Sequence, residues 1–284
     1  LPSNLRLAIG SRSDPPLPLA RLRARGQLFE LRAAGLRFNQ AETGRFLNEV
    51  MQLDLSPELV RTLELRTEGW VAGLQLAALA MRLQPSPSST TVRPDQESFI
   101  ASFTGSHRYL VDYLLQEVIS RQPEAVQSFL LSTSILERLC GPLCDALLGQ
   151  ASGGQAVLER LEQVNLFVIP LDAQGRWYRY HHLFRDFLLA RLLKIRPEDA
   201  PRLHRLASQW HAVYGSLREA VQHALHTQDW EYAAELVEQH AVPMIMHSEF
   251  STVYEWCAVF PEEVMQAHPA LCLFQSNTLA LGCR

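Results

Sequence analysis

One short hairpin interrupts an otherwise helical sequence, and its position constrains the fold more than any other feature. Residues 166–171 are strand formers, Asp172-Ala-Gln-Gly175 is a turn, and residues 176–181 return as the alternating segment Trp177-Tyr-Arg-Tyr-His181. The chain then runs at once from His182 into Leu-Phe184-Arg-Asp186-Phe-Leu188, which has helical spacing. Helical segments precede the hairpin at 123–133, 141–148 and 155–163. Three helices followed by a two-stranded ribbon is the order of a winged helix.

The flanking regions read differently. Residues 5–11 and 27–32 are rich in strand formers, with a short helix between Asp14-Pro15-Pro16 and Arg25 and a glycine stop at Gly26. Two strands cannot make a stable doubly wound sheet, so residues 1–37 are expected to be the remnant of an α/β sheet too small to stand alone. Helices are expected at 41–51, after a cap at Ser56-Pro57, and at 68–83, giving a helical domain over 38–84. Residues 85–94 are rich in Pro, Ser and Thr and read as a linker. Further helices at 95–103 and 108–120 lead into the winged helix, and the whole domain spans 95–195.

Residues 196–284 are helical throughout, with segments at 201–214, 217–227, 230–240, 250–260 and 269–282. Ser216-Leu-Arg-Glu219 reads as a capping box and Asp229 as an N-cap. Ala220, Ala224, Ala233 and Ala234 allow close helix approach, which predicts the start of a TPR-like α-solenoid. The fold class is therefore mainly α.

Charge and cysteine usage exclude several functions. With 284 residues, 47% apolar content and a net charge of −4, the chain suits neither bulk nucleic-acid nor membrane-surface binding. The apolar run at 70–81 is too short to span a bilayer, and no secretory leader opens the chain. Cys140, Cys144, Cys257, Cys272 and Cys283 have no disulfide-scaffold spacing, so reduced thiols and a cytoplasmic setting are expected.

The phosphate-binding loop is missing. Gly149 and Gly154 have the required glycine spacing, but Gln155-Ala156 follow instead of Lys-Ser/Thr, and Lys194 is the only lysine. No acidic strand end offers a magnesium site, so the chain is not expected to be an enzyme by itself. Metal binding is also not expected. His181-His182 would point to opposite faces of a strand, while His204/His211 and His223/His226 lack a completing ligand. Ser106-His107 reads as a loop or helix start rather than a catalytic pair. In the third helix of the winged helix, Arg160 is offset by Glu159 and Glu162, which argues against direct DNA contact.

Four segments occur in the order of one known family. They are residues 5–26 around Arg12, Thr67-Glu-Gly69-Trp70-Val-Ala-Gly73, Phe103-Thr-Gly-Ser-His107-Arg-Tyr, and Trp177-Tyr-Arg-Tyr-His181-His182-Leu-Phe. Together they resemble MalT-like, LuxR-type transcriptional activators of the signal-transducing ATPase (STAND) class. The resemblance covers nearly the whole chain and becomes vaguer beyond about residue 240. It implies that residues 1–37 are the C-terminal remnant of an α/β nucleotide-binding (NTPase) domain, that Arg12 is a sensor arginine, that Gly69-Trp70 lies near the adenine, and that His181 contacts the β-phosphate of ADP, with His182 a packing residue.

Walker motifs and a C-terminal helix-turn-helix are absent from these residues, so ADP or ATP is expected to bind only in the intact protein. The implied partners are an NTPase core and a DNA-binding domain of the same polypeptide, an inducer or regulatory protein on the helical repeats, and self-association when intact. The function expected is thus nucleotide-state sensing and signal coupling. A stand-alone helical adaptor and a winged-helix DNA-binding protein are the alternatives.

Overall fold

The computed structural model describes residues 7–11, 14–83 and 96–282. Arg12, Cys283 and the linker at 85–94 lie outside these residues. In chain order the helices before the hairpin are α1 (Leu19–Ala24), α2 (Gln40–Gly44, continued by a π-turn at Arg45–Val50) and α3 (Pro57–Thr67). They are followed by α4 (Val71–Leu83), α5 (Gln96–Ser102), α6 (Arg108–Tyr113, continued by wider and tighter turns to Arg121) and α7 (Glu124–Thr133). Next come α8 (Gly141–Leu148), α9 (Gly154–Gln163), β1 (Val168–Pro170) and β2 (Tyr178–Tyr180). The chain continues as α10 (His182–Ile195), α11 (Asp199–Tyr214), α12 (Leu217–Leu225), α13 (Trp230–Met246), α14 (Phe250–Cys257), α15 (Glu262–Ala267) and α16 (Pro269–Gly282). The fold is mainly α, as the sequence predicts. It divides into two compact units, Leu1–Gly141 with Gly153–Arg191, and Pro142–Ser152 with Leu192–Arg284.

In the first unit, local chemistry sets where helices begin. Ser56 accepts the Leu59 amide with Pro57 at the first helical position, as expected. Asn39 and Glu42 form a reciprocal capping box at α2 that the sequence reading missed. A correction falls at the start of α4. Glu68 and Gly69 do not open that helix but end α3, in the left-handed region at φ +48° and +68°.

A second correction concerns the expected strands near the N-terminus. Residues 7–11 and 27–32 have no ladder partner among the described residues, and without one a strand's backbone groups stay unpaired. Phe29 and Leu31 stand exposed there, and the segment is held by ion pairs of Arg32 with Asp14 and Glu30 and of Arg23 with Glu30.

The hairpin lies where the sequence places it. Val168 pairs Tyr180, Ile169 pairs Arg179 and Pro170 pairs Tyr178 in antiparallel register, and Leu139 bridges Tyr178 from the far side. Asp172 fixes the turn by accepting the amides of Arg176 and Trp177. The alternation sends Tyr178 and Tyr180 into the core and Arg179 outward. Tyr180 is 1% exposed and its hydroxyl meets that of Thr133, 2.7 Å away. Phe167, Phe184 and Phe187 stack in sequence beside it.

In the second unit, α11 packs on α12, α12 on α13 and α13 on α14, while α16 packs on α13, α14 and α15. Ala220, Ala224, Ala233 and Ala234 are all fully buried between them, which confirms their role as close-approach positions. Asp229 caps α13 as expected, through the Tyr232 amide. Ser216 does not form the predicted box, since its side chain makes no cap hydrogen bond. The short helix α15, not foreseen, occupies the turn before α16.

Candidate functional site

The site lies within the first unit, where the end of α3 meets β2 and the start of α10. Its centre is Glu68. The Arg179 guanidinium donates two 2.8 Å hydrogen bonds, one to each carboxylate oxygen. Arg37 donates a third at 3.1 Å, and the His182 amide a fourth at 3.0 Å. Burial alone would raise the Glu68 pKa. The Arg179 hydrogen bonds, the neighbouring His181 once it is protonated in acid, and the His182 amide outweigh it and hold the carboxyl down to about 2. Glu68 is therefore a largely buried carboxylate that stays charged.

His181 sits on the adjoining carbonyl. Its Nε2 is 2.8 Å from the oxygen of Thr67, which also accepts the Trp70 amide at 2.9 Å. The ring is 3% exposed, and Nδ1 is buried without a hydrogen-bond partner among the described residues. Burial pushes the His181 pKa below the ordinary histidine value, while the Glu68 charge and the Thr67 carbonyl pull the other way. Trp70 and Phe167 pack edge-on around the ring, at centroid distances of 5.9 and 5.8 Å.

Two of the seven positive-φ non-glycine positions among the described residues lie at the same corner. Glu68 at φ +48° and Phe167 at φ +57° are both non-glycine residues in the left-handed region. The Phe167 carbonyl accepts the His181 amide, so the strained turn is tied directly to the histidine. Gly69 follows at φ +68°, and a Cβ there would lie 2.2 Å from the Phe38 carbonyl oxygen.

Of the residues singled out in the sequence, Gly69, Trp70 and His181 come together here, and Arg12 lies outside the described residues. Glu68, Arg179 and Arg37 were missed, although Glu68 and Arg179 lie inside motifs already recognised. His182 is not the packing residue expected. Its side chain is 63% exposed, with Nδ1 3.2 Å from Glu68. Nor do the two histidines serve opposite faces, since β2 ends before His181 and both turn to the Thr67-Glu68 corner.

The other candidates are structural. Ser106 shares a hydrogen bond with the Thr104 hydroxyl, and His107 occupies the N-cap of α6. No group of three or more potential metal ligands occurs among the described residues. None of the described helices is long and apolar enough to cross a membrane.

A hairpin following a helical array, locked through charged side chains to a second helical element, defines a winged helix with a docked helical corner. Residues 115–200 match the MalT winged helix domain. Similar proteins include the serine/threonine-protein kinase PknK of Mycobacterium tuberculosis, 35% identical over 88% of this chain and 22% of its own length. The HTH-type transcriptional regulators MalT of Yersinia enterocolitica and Serratia proteamaculans are each 33% identical over 97% of this chain and 30% of their own length. The chain thus carries a match to the MalT winged helix domain and is similar to MalT proteins over nearly its whole length, and it spans between a fifth and a third of the length of these relatives.

Proposed function

We propose that this chain is the nucleotide-state-sensing and signal-coupling segment of a MalT-like, LuxR-family transcriptional regulator. The observation that supports this reading is the joint hold of Thr67 and Glu68 on Arg179, His181 and His182. A polar clamp of this kind makes the placement of the wing and of the helical corner one variable. A ligand that prefers one placement shifts that equilibrium by its differential affinity.

The family resemblance suggests which residues would hold ADP or ATP: Gly69-Trp70 near the adenine, His181 near a phosphate, and Arg12 as a sensor. The buried, unpartnered Nδ1 of His181 fits such a role, because a ligand hydrogen bond would satisfy it. The nucleotide supplies a removable anionic contact. One charge-assisted hydrogen bond is worth roughly 1.5–3 kcal/mol, enough to move a two-state equilibrium tenfold or more. The helical arm is then the surface for an inducer or regulatory protein, and promoter binding and self-association belong to the whole regulator. Direct DNA contact by α9 is disfavoured, because Arg160 is its one cation and stands beside Glu159 and Glu162.

The test is His181→Ala in the full-length gene product. Weaker ADP binding and transcription that no longer depends on inducer are expected. ADP affinity and inducer dependence both unchanged would remove the reading.

A further inference from the structure

We propose that His181 meets an anionic ligand only as the imidazolium, so that a nucleoside diphosphate binding at this corner takes up one proton, with Glu68 as the carboxylate that makes the uptake possible. The inference rests on the nucleotide reading above and adds its proton balance.

The tautomer carries the argument. A carbonyl oxygen only accepts, so Nε2, 2.8 Å from the Thr67 oxygen, holds the hydrogen. In the neutral ring Nδ1 is then a bare lone pair, and it is buried with no partner among the described residues. A fully ionised phosphate also presents only acceptor oxygens. Two acceptors repel, so the contact needs a hydrogen on Nδ1. Moving the hydrogen across the ring would break the Thr67 bond. A proton taken from solvent keeps that bond and creates the second donor.

The surrounding charges decide whether the ring can hold it. Glu68 at the end of α3 favours the cation, while Arg37, ahead of α2, and His182, at the start of α10, oppose it. Arg179 on β2 has both terminal nitrogens committed to Glu68. Burial, the largest influence, also favours the neutral ring, which is therefore the resting form, and an arriving anion on the Nδ1 side adds the charge that tips it. With the ring 3% exposed between Trp70 and Phe167, one of these aromatics must shift to admit the ligand.

The experiment is calorimetric titration of ADP into the full-length gene product in two buffers of different ionisation enthalpy. It is run above about pH 7.5, where the phosphates of ADP no longer titrate. Uptake near one proton is expected, with ADP affinity falling about tenfold per pH unit. His181→Asn, whose amide donates without protonation, should bind ADP with no uptake and no pH dependence in this range. Glu68→Gln should weaken ADP binding several-fold in the histidine background and have little effect in the asparagine one. Equal heats in both buffers, with His181→Ala still weakening ADP, would overturn the proton coupling and leave the nucleotide contact standing. ADP affinity indifferent to His181→Ala would remove the contact itself, and this proposal with it.

Discussion

Glu68 and Arg179, 111 residues apart in sequence, face each other through two parallel 2.8 Å hydrogen bonds. The geometry is the fork-to-carboxylate pairing that only arginine offers, and it joins the last turn of α3 to the outward side of the wing. Around it, the Thr67 carbonyl, the His182 amide and Arg37 converge on a few ångströms of backbone. The wing is held by charge and hydrogen bonding at this point, in contrast to the aromatic packing of its inner side.

Acid should loosen the clamp. The folded-state pKa of Glu68 is depressed to about 2, below the unfolded value of about 4.3. Its contribution is therefore fully present above the unfolded value and is lost as pH falls through that window toward 2. Glu68→Gln should cost roughly 2 kcal/mol at neutral pH, a figure discounted for the partial exposure of both arginines. Urea denaturation from pH 7 to pH 3 checks it. The wild type should lose its advantage over the variant in acid, and parallel curves would contradict the assignment.

Arg179→Lys keeps the charge but loses the fork. We expect a loss of about 1–2 kcal/mol and, in a double-mutant cycle with Glu68→Gln, a coupling above about 1 kcal/mol. Additive single effects would mean that the pair contributes only as separate surface charges.

How much of this corner was legible in the sequence depended on the range of the interaction. The hairpin was readable because Tyr178, Arg179 and Tyr180 alternate and Asp172 and Gly175 mark the turn, all within a few residues. Ser56-Pro57 was readable for the same reason, as was the alanine seam of the second unit. Glu68 was not. Its helical neighbours made it look like the start of α4, and its partners lie far along the chain, so no local pattern distinguishes a buried charged Glu68 from a solvated one. The expected strands near Ile9 and Phe29 failed in the opposite way: local propensity was right for a strand, but a strand also needs a neighbour to pair with. Ser216 shows the limit of a motif match, since the spacing of a capping box is present without the bond.

Gly69→Ala should be among the most damaging single-methyl changes in the first unit. The site demands φ +68°, and the added carbon would meet the Phe38 carbonyl oxygen, which cannot swing away as a side-chain tip does. A cost above about 2 kcal/mol is expected. Thermal unfolding of the variant checks it, and a melting temperature equal to wild type would show that the α3–α4 turn can relax. Gly26→Ala serves as the control, because its φ is also positive at +65° but its Cβ would meet nothing within 4 Å.

The helical arm carries a titratable tie of its own. His268, in the turn between α15 and α16, places Nδ1 3.1 Å from Glu238 and Nε2 3.2 Å from Glu231. The two glutamates are seven residues apart and so share one face of α13. Both contacts are full hydrogen bonds only when both ring nitrogens carry hydrogen, so the arrangement suits the imidazolium. Burial opposes that form, but the two carboxylates outweigh it and raise the His268 pKa above its ordinary value. A raised folded-state pKa gives stability that is fully present below about 6.5 and is lost as pH rises through the folded value. Because Glu231 is 72% exposed, the effect is about 1 kcal/mol rather than that of a buried triad. Unfolding of the wild type followed from about pH 6 upward should therefore show a declining stability that His268→Gln removes. The same slope in both proteins would place the pH dependence elsewhere in the arm.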